Sequence, residues 1–232
     1  MKILRHLPNA LTSANLLCGC VGIILTMYSE DTFPDNAAYA AYFVWAACIF
    51  DFFDGFAARL LNVSSPIGKE LDSLADMVSF GVLPSILMYR MIAAISPSPY
   101  LPFIAFSIAI FSALRLAKFN IDENQNDSFI GVPTPANALF ITSLVFLKSP
   151  FDAFISWYAF LVGITLVFSY LLVCPLELFA LKFKNFGWAD NKVRFTFIGV
   201  AVLLVGFWQA AAIPFIIILY ITVSLFTRWI RI

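Results

Sequence analysis

Residues 51–76 read DFFDGFAARLLNVSSPIGKELDSLAD and carry four aspartates within a mostly apolar chain. Asp51 and Asp54 are three residues apart, and Asp72 and Asp76 are four apart. On a helix, either spacing puts both members of the pair on one face. Two adjacent helices would therefore combine the pairs into one acidic cluster. Because unpaired charges are very costly in apolar surroundings, we expect a cation at this cluster.

The composition predicts an all-α, polytopic membrane protein. Of the 232 residues, 62% are hydrophobic and 12% are charged, whereas soluble domains carry about 25% charged residues. The mean hydropathy is +0.91. Lipid requires each backbone polar group to be paired within a helix or a closed barrel, and the alternating pattern of a membrane barrel is absent. The four cysteines lie in or beside apolar runs, and we interpret them as small buried residues rather than disulfides or metal ligands.

Eight apolar segments of membrane-helix character follow one another along the chain. They cover about 10–28, 37–61, 70–95, 100–119, 133–147, 153–173, 194–208 and 211–228. Since no internal repeat is visible, we expect a single integral-membrane domain over residues 1–232, with the motif at 51–76 and an accessory C-terminal hairpin at about 194–228. That hairpin could span the membrane or form one interrupted element. The polar segment 174–193 is expected either to lie on the membrane surface or to be a plain connector.

The distribution of basic residues predicts the orientation of the protein. Cytoplasmic loops of membrane proteins are enriched in lysine and arginine. With the N-terminus inside, twelve of the 14 basic residues fall on the cytoplasmic side. These are Lys2, Arg5, Arg59, Lys69, Arg115, Lys118, Lys182, Lys184, Lys192, Arg194, Arg228 and Arg231, while Arg90 and Lys148 are the exceptions. We therefore expect a multi-pass protein of the cell (inner) membrane, with its N-terminus and acidic cluster at the cytoplasmic side.

The residues between the aspartates indicate a phosphate-containing ligand. Gly55 and Ala58 leave one helix face bare for a close approach. Arg59 follows one turn after Gly55, and a guanidinium can bind a phosphate through two hydrogen bonds. Carboxylates without a histidine or cysteine set suit Mg²⁺ or Mn²⁺ rather than zinc. Mg²⁺ held by few protein ligands commonly completes its shell with phosphate oxygens.

The motif reads Asp51-x-x-Asp54-Gly55-x-x-Ala58-Arg59, followed after eight residues by Gly68 and then by Asp72 and Asp76. It resembles the signature of the CDP-alcohol phosphotransferase family at all eight of its specified positions. The resemblance implies a bundle with a six-helix core that forms homodimers and displaces CMP from a CDP-linked substrate. It also implies two divalent ions held by the four aspartates, with Asp76 as the general base. Gly55, Ala58, Arg59 and Gly68 would contact the CDP-lipid.

Flanking motifs resemble the serine-using branch of the same family, found in bacteria and archaea. They are LPNALTSANLLCG at 7–19, FGVLP at 80–84, RLAKFN at 115–120 and FIGVPTPA at 129–136. The resemblance implies CDP-diacylglycerol and L-serine as substrates, membrane lipid as surroundings and no nucleic-acid polymer as partner. Arg115, Lys118 and Asn120 are candidates for the serine carboxylate or a phosphate, and membrane anchoring is an equally good account of the two basic residues.

Several alternatives stay open at this point. Other acceptors within the family are glycerol phosphate and inositol phosphate. A cation- or proton-coupled transporter could also use aspartates in membrane helices, although the glycine, alanine and arginine positions argue against it. On the first helix, Asn9, Thr12 and Asn15 lie about one turn apart. They could contact the nucleotide or form hydrogen bonds between helices.

Overall fold

A computed structural model describes residues 3–28, 33–63, 65–121, 129–178 and 187–230. Most of these residues are helical. The α-helices are α1 (Leu7–Met27), α2 (Phe33–Leu60), α3 (Pro66–Asp76), α4 (Leu83–Ala93), α5 (Ser107–Ile121), α6 (Thr134–Ser143), α7 (Asp152–Ile155), α8 (Tyr158–Val173), α9 (Trp188–Trp208) and α10 (Ile213–Ile230). A π-helical turn, Met77–Val82, joins α3 to α4. Short 3-10 turns cover Ile3–His6, Leu101–Phe106, Leu144–Phe146 and Gln209–Ala212.

The apolar helices make this a multi-pass membrane protein. Within the described residues, five stretches are long and apolar enough to cross a bilayer, namely Leu7–Met27, Asp35–Leu60, Pro66–Ala93, Leu101–Ile121 and Asn191–Thr227. Two shorter apolar helices, Thr134–Phe146 and Tyr158–Val173, accompany them. The prediction of a polytopic helical bundle is thus confirmed. Large apolar side chains face outward along the bundle, as lipid contact requires, and Phe207 is 82% exposed.

The last of these stretches is a helical hairpin rather than one helix. Its 37 residues far exceed the roughly 20 needed to cross the hydrocarbon core. The chain turns at Gln209, whose φ is 50° and ψ is −128°. The sequence left open whether this stretch is a hairpin or one interrupted element. The structure shows two helices, α9 and α10.

Capping residues set the boundary between α2 and α3. Asn62 ends α2 in the left-handed conformation, with a φ of 50°. The amide of Val63 donates to the carbonyl of Ala58 at 3.0 Å, which together with the Asn62 amide bond to Arg59 at 3.2 Å makes a Schellman cap. Ser65 then caps α3, because its hydroxyl accepts from the Gly68 amide at 3.0 Å. Both caps lie in the connection that brings the two aspartate pairs together.

Helix α1 packs along α2 and along the continuous helix formed by α3, the π-helical turn and α4. Its buried residues Asn15, Gly19, Gly22 and Thr26 recur at intervals of three and four and so share one face. A Cβ at Gly19 would lie 2.4 Å from the Ser79 hydroxyl, and one at Gly22 would lie 2.5 Å from a Leu83 methyl. The two glycines therefore allow the helices to approach closely.

The second half of the chain closes the bundle. Two-residue strands, β1 (Phe129–Ile130) and β2 (Glu177–Leu178), pair antiparallel. Next to β1, Gly131 has a φ of +75°, and a Cβ there would lie 2.5 Å from the Leu172 carbonyl oxygen. Residues 179–186, which make up much of the segment expected at the membrane surface, lie outside the described residues, while Leu178 is buried in the core. The four cysteines are free. Cys18 and Cys174 are buried, as predicted, whereas the prediction was wrong for Cys20, which is exposed, and Cys48 is half-buried.

Candidate active site

Three of the four aspartates converge between α2 and α3. Asp51, Asp72 and Asp76 each offer a carboxylate oxygen, and these oxygens all lie within 4.8 Å of one another. Asp76 is 8% exposed and the other two are half-buried. The two helices therefore bring Asp51 of the first pair together with both members of the second pair. We name Asp51, Asp72 and Asp76 the acidic trio.

The donor set of the trio fits a hard divalent cation. Oδ1 of Asp72 is buried and has no hydrogen-bond partner among the described residues. A buried acceptor without a donor is unusual in a folded protein, and a cation would satisfy it. Carboxylate oxygens are also the ligands that magnesium and manganese prefer. The trio thus has the chemistry of a divalent-metal site.

Asp54 lies on α2 but outside the trio. Its side chain is 6% exposed, and its Oδ2 accepts a 2.7 Å hydrogen bond from the hydroxyl of Thr12 on α1. The predicted set of four metal ligands is therefore seen as three clustered carboxylates and a fourth that is bonded to α1. A helix–helix hydrogen bond, one of the two roles considered for Thr12, explains this difference.

Asn15, one turn further along α1, reaches the trio directly. Its Nδ2 donates to Oδ1 of Asp76 at 3.1 Å. Its backbone carbonyl accepts from the Ser79 hydroxyl at 2.9 Å. Helix α1 thus supplies polar partners to both acidic helices, one to Asp54 and one to Asp76.

The predicted CDP-lipid residues lie on the same two helices as the aspartates. A Cβ added at Gly55 would meet only the Arg59 guanidinium, at 3.5 Å, among the described residues. The surface over Gly55 is therefore open to a ligand, with an exposed arginine beside it. Ala58 is half-buried on the same helix. Gly68 packs against α1, since its Cβ would lie 3.2 Å from Oδ1 of Asn9.

The three candidates for the serine pocket occupy different environments. Arg115 is half-buried and donates to the Leu172 carbonyl at 3.2 Å. Lys118 is exposed. Asn120 uses its amide within the fold, since Nδ2 donates to the Ser73 hydroxyl at 2.9 Å. The backbone carbonyl of Asn120 accepts from Nζ of Lys69 at 2.8 Å. These two hydrogen bonds connect the end of α5 to α3 beside Asp72.

Sequence reasoning missed Ser79, Gly19 and the π-helical turn that directly follows Asp76. A π-helical turn inside an α-helix is frequent at functional sites. The Gly19–Gly22 spacing was a signal for close helix packing. No local pattern identified the partner that this packing would meet.

Comparison with known proteins places this site in a family. The sequence profile of the CDP-alcohol phosphatidyltransferase family matches residues 5–170. A CDP-diacylglycerol--serine O-phosphatidyltransferase of Bacillus subtilis is 37% identical over 63% of this chain and 79% of its own length. Proteins of that name from Helicobacter pylori and Methanocaldococcus jannaschii are 36% and 35% identical over 62% and 56% of this chain, and the matches span 59% and 55% of their own lengths. The chain belongs to the CDP-alcohol phosphatidyltransferase family.

Proposed function

We propose that this protein is a phosphatidylserine synthase, which transfers the phosphatidyl group of CDP-diacylglycerol to the hydroxyl of L-serine and releases CMP. The observation that carries the proposal is the acidic trio, with its unpaired Asp72 oxygen, beside the open surface at Gly55. Support for serine as acceptor comes from the names of the relatives and from the motifs that flank the aspartates.

Two divalent cations, Mg²⁺ or Mn²⁺, would be held by the trio together with Asp54. Bound there, they would offset the negative charge of the diphosphate linkage and of the departing CMP. The rest of the work falls to the chain itself. Gly55 and Ala58 leave room for the nucleotide diphosphate, and the exposed Arg59 binds a phosphate oxygen. Gly68 lets the start of α3 pack closely against α1.

Asp76 is the proposed general base. The serine hydroxyl is a poor nucleophile until a nearby carboxylate accepts its proton. Serine oxygen then forms a bond to the phosphorus of the phosphatidyl group, and the bond from that phosphorus to the CMP oxygen breaks. CMP leaves with the electron pair, and the proton stays on Asp76. Arg115 and Lys118 are proposed to attract the serine carboxylate or a phosphate.

The proposal extends to the setting of the reaction. The excess of lysine and arginine on one side supports a cytoplasmic active site in the inner membrane, where soluble serine can reach it. The lipid tails would enter laterally between helices. A homodimer is proposed from the family resemblance.

The test uses purified protein in detergent micelles with CDP-diacylglycerol, Mn²⁺ or Mg²⁺, and serine, glycerol phosphate or inositol phosphate in turn. Of the three acceptors, we expect only serine to give CMP release, together with a phosphatidylserine product. Release with glycerol phosphate but not with serine would replace the proposed acceptor. The absence of CMP release with all three acceptors would favour cation transport. Asp76→Asn should abolish turnover while CDP-diacylglycerol still binds, and a retained turnover would refute the base assignment.

A further inference from the structure

The side chain of Asn15 is completely buried and makes a hydrogen bond to the acidic trio. Nδ2 donates to Oδ1 of Asp76. Oδ1 of Asn15 is buried and has no donor among the described residues. If the residue served only to join helices, both halves of its amide would be expected to find partners within the protein, because an unpaired buried carbonyl is costly. The arrangement instead suits a residue whose second partner arrives with the reactants or with water.

A hydrogen bond to its backbone carbonyl fixes the position of Asn15. The hydroxyl of Ser79 donates to the Asn15 carbonyl at 2.9 Å, although this carbonyl lies within a helix. Ser79 can approach because Gly19, one turn further along α1, has no side chain, and a Cβ there would lie 2.4 Å from the Ser79 hydroxyl. Ser79 itself belongs to the π-helical turn that begins immediately after Asp76. One short segment therefore carries both Asp76 and the group that holds the partner of Asp76.

This geometry gives the Asp76 carboxylate one orientation before any ligand binds. Asp76 faces two other carboxylates, which repel it and cannot orient it in the ionised state. The amide of Asn15 is a neutral donor on the opposite helix, and hydrogen bonds from outside the metal shell commonly orient the ligating side chains. We infer that Asn15 is a positioning residue for Asp76, held in place by Ser79 and Gly19, and that it turns the carboxylate toward the cation site. The inference deepens the proposed function and rests on it for the catalytic role of Asp76.

The test compares Asn15→Leu, which keeps the size and removes the amide, with Asn15→Asp, which keeps the size and replaces the donor by an acceptor. Thr26→Val is the matched control, since Thr26 is buried on the same face of α1 and, among the described residues, its hydroxyl bonds only to the Ile23 carbonyl of its own helix. The first measurement is Mn²⁺ binding to the purified, substrate-free protein by isothermal titration calorimetry. We expect Asn15→Leu to weaken Mn²⁺ binding about 10–100-fold, the usual effect of losing a group that orients a metal ligand. Thr26→Val should leave the affinity within about twofold.

The second measurement is CMP release over a range of serine and CDP-diacylglycerol concentrations. We expect both Asn15 variants to lose most of kcat, with KM for CDP-diacylglycerol within about threefold of the parent. An Asn15→Leu protein that binds Mn²⁺ like the parent, or one whose lower melting temperature alone explains its lost activity, would overturn the inference. If Asn15→Leu does not fold, Ser79→Ala takes its place, and an unchanged Mn²⁺ affinity there would overturn the inference that Ser79 holds Asn15 against Asp76. If the parent itself releases no CMP, the proposed function fails, whereas the Mn²⁺ comparison still decides whether Asn15 orients Asp76.

Discussion

Thr12 and Asp54 lie 42 positions apart in the chain, and their side chains are joined by a 2.7 Å hydrogen bond. The bond connects α1 to the acidic face of α2. It also gives Asp54 a neutral hydrogen-bond donor from another helix. Which of the four carboxylates binds a cation first should therefore depend on the hydrogen bonds from α1 as well as on the residues of the motif.

Replacing Thr12 by valine should weaken metal-dependent activity. Valine matches the shape of threonine but cannot donate to Asp54, so the carboxylate loses the group that orients it. We expect the Mn²⁺ concentration for half-maximal CMP release to rise about tenfold. Thr165→Val in α8 is the control, because Thr165 is buried and, within the part of the chain that the structure describes, its hydroxyl bonds only to the Leu161 carbonyl of its own helix. An equal effect of both substitutions would mean that Thr12 contributes only to packing.

Neutralising Asp51 should stabilise the metal-free protein and abolish its stabilisation by metal. Like charges within 4.8 Å oppose folding when no cation is bound, and Asp51→Asn removes one of them. A ligand at 100 times its Kd stabilises by about 2.7 kcal/mol, which corresponds to a rise of roughly 5–10 °C in melting temperature. We expect this Mn²⁺-induced rise in the parent and not in Asp51→Asn, as measured by thermal unfolding in detergent. A variant that still gained the full rise would show that Asp51 is not a ligand.

Gly19→Ala should destabilise the contact between α1 and the π-helical turn. The new methyl would lie 2.4 Å from the Ser79 hydroxyl and 3.0 Å from the Ser79 Cα, so the helices would have to separate. Overpacking of this kind costs about 1–3 kcal/mol. Gly163→Ala is the control, because a Cβ at Gly163 would meet no atom of the described residues outside its own helix backbone within 4 Å. A melting temperature for Gly19→Ala equal to that of the control would contradict the close approach.

Asn120 and Lys118 should separate into a structural and a substrate-binding role. Asn120→Ala removes the bond to Ser73, so we expect a lower melting temperature. Lys118→Gln removes an exposed charge and should raise KM for serine without changing the melting temperature. Both quantities are measured for each variant in the serine-dependent assay and in thermal unfolding. An unchanged KM in Lys118→Gln would remove Lys118 from the proposed serine pocket.

The membrane helices were predictable because lipid imposes a simple length and hydropathy rule on each segment. The convergence of Asp51, Asp72 and Asp76 was predictable for a similar reason. The spacing of the aspartates determines which helix face carries them, and the short loop between α2 and α3 makes these two helices neighbours. The boundary between their helices also had visible signals in Asn62, Ser65 and Pro66, which favour a helix end followed by a helix start.

The partners of those aspartates were not predictable in the same way. The bonds from Thr12 and Asn15 span 42 and 61 positions, and no local pattern states which helix faces α1. The separation of Asp54 from the trio depends on such a bond. The π-helical turn also escaped prediction, because residues 77–82, MVSFGV, are an ordinary apolar run and only the packing of Ser79 and Gly81 against α1 and α5 distinguishes them.

The π-helical turn after Asp76 has a consequence for how the third membrane helix can vary. A π-helical turn holds about one residue more than an α-helical turn, and one residue in an α-helix corresponds to a rotation of about 100°. Deleting a single residue from Met77–Val82 would therefore return this turn to α-helical geometry, and the faces of α3 and α4 would keep their relation to each other. A one-residue deletion within α3 itself, where no extra residue is present, would instead rotate the segments against each other by about 100°, so that either the aspartates would turn away from α2 or Leu83 and Leu87 would turn out of the core. A one-residue deletion should thus be less damaging in the π-helical turn than in α3.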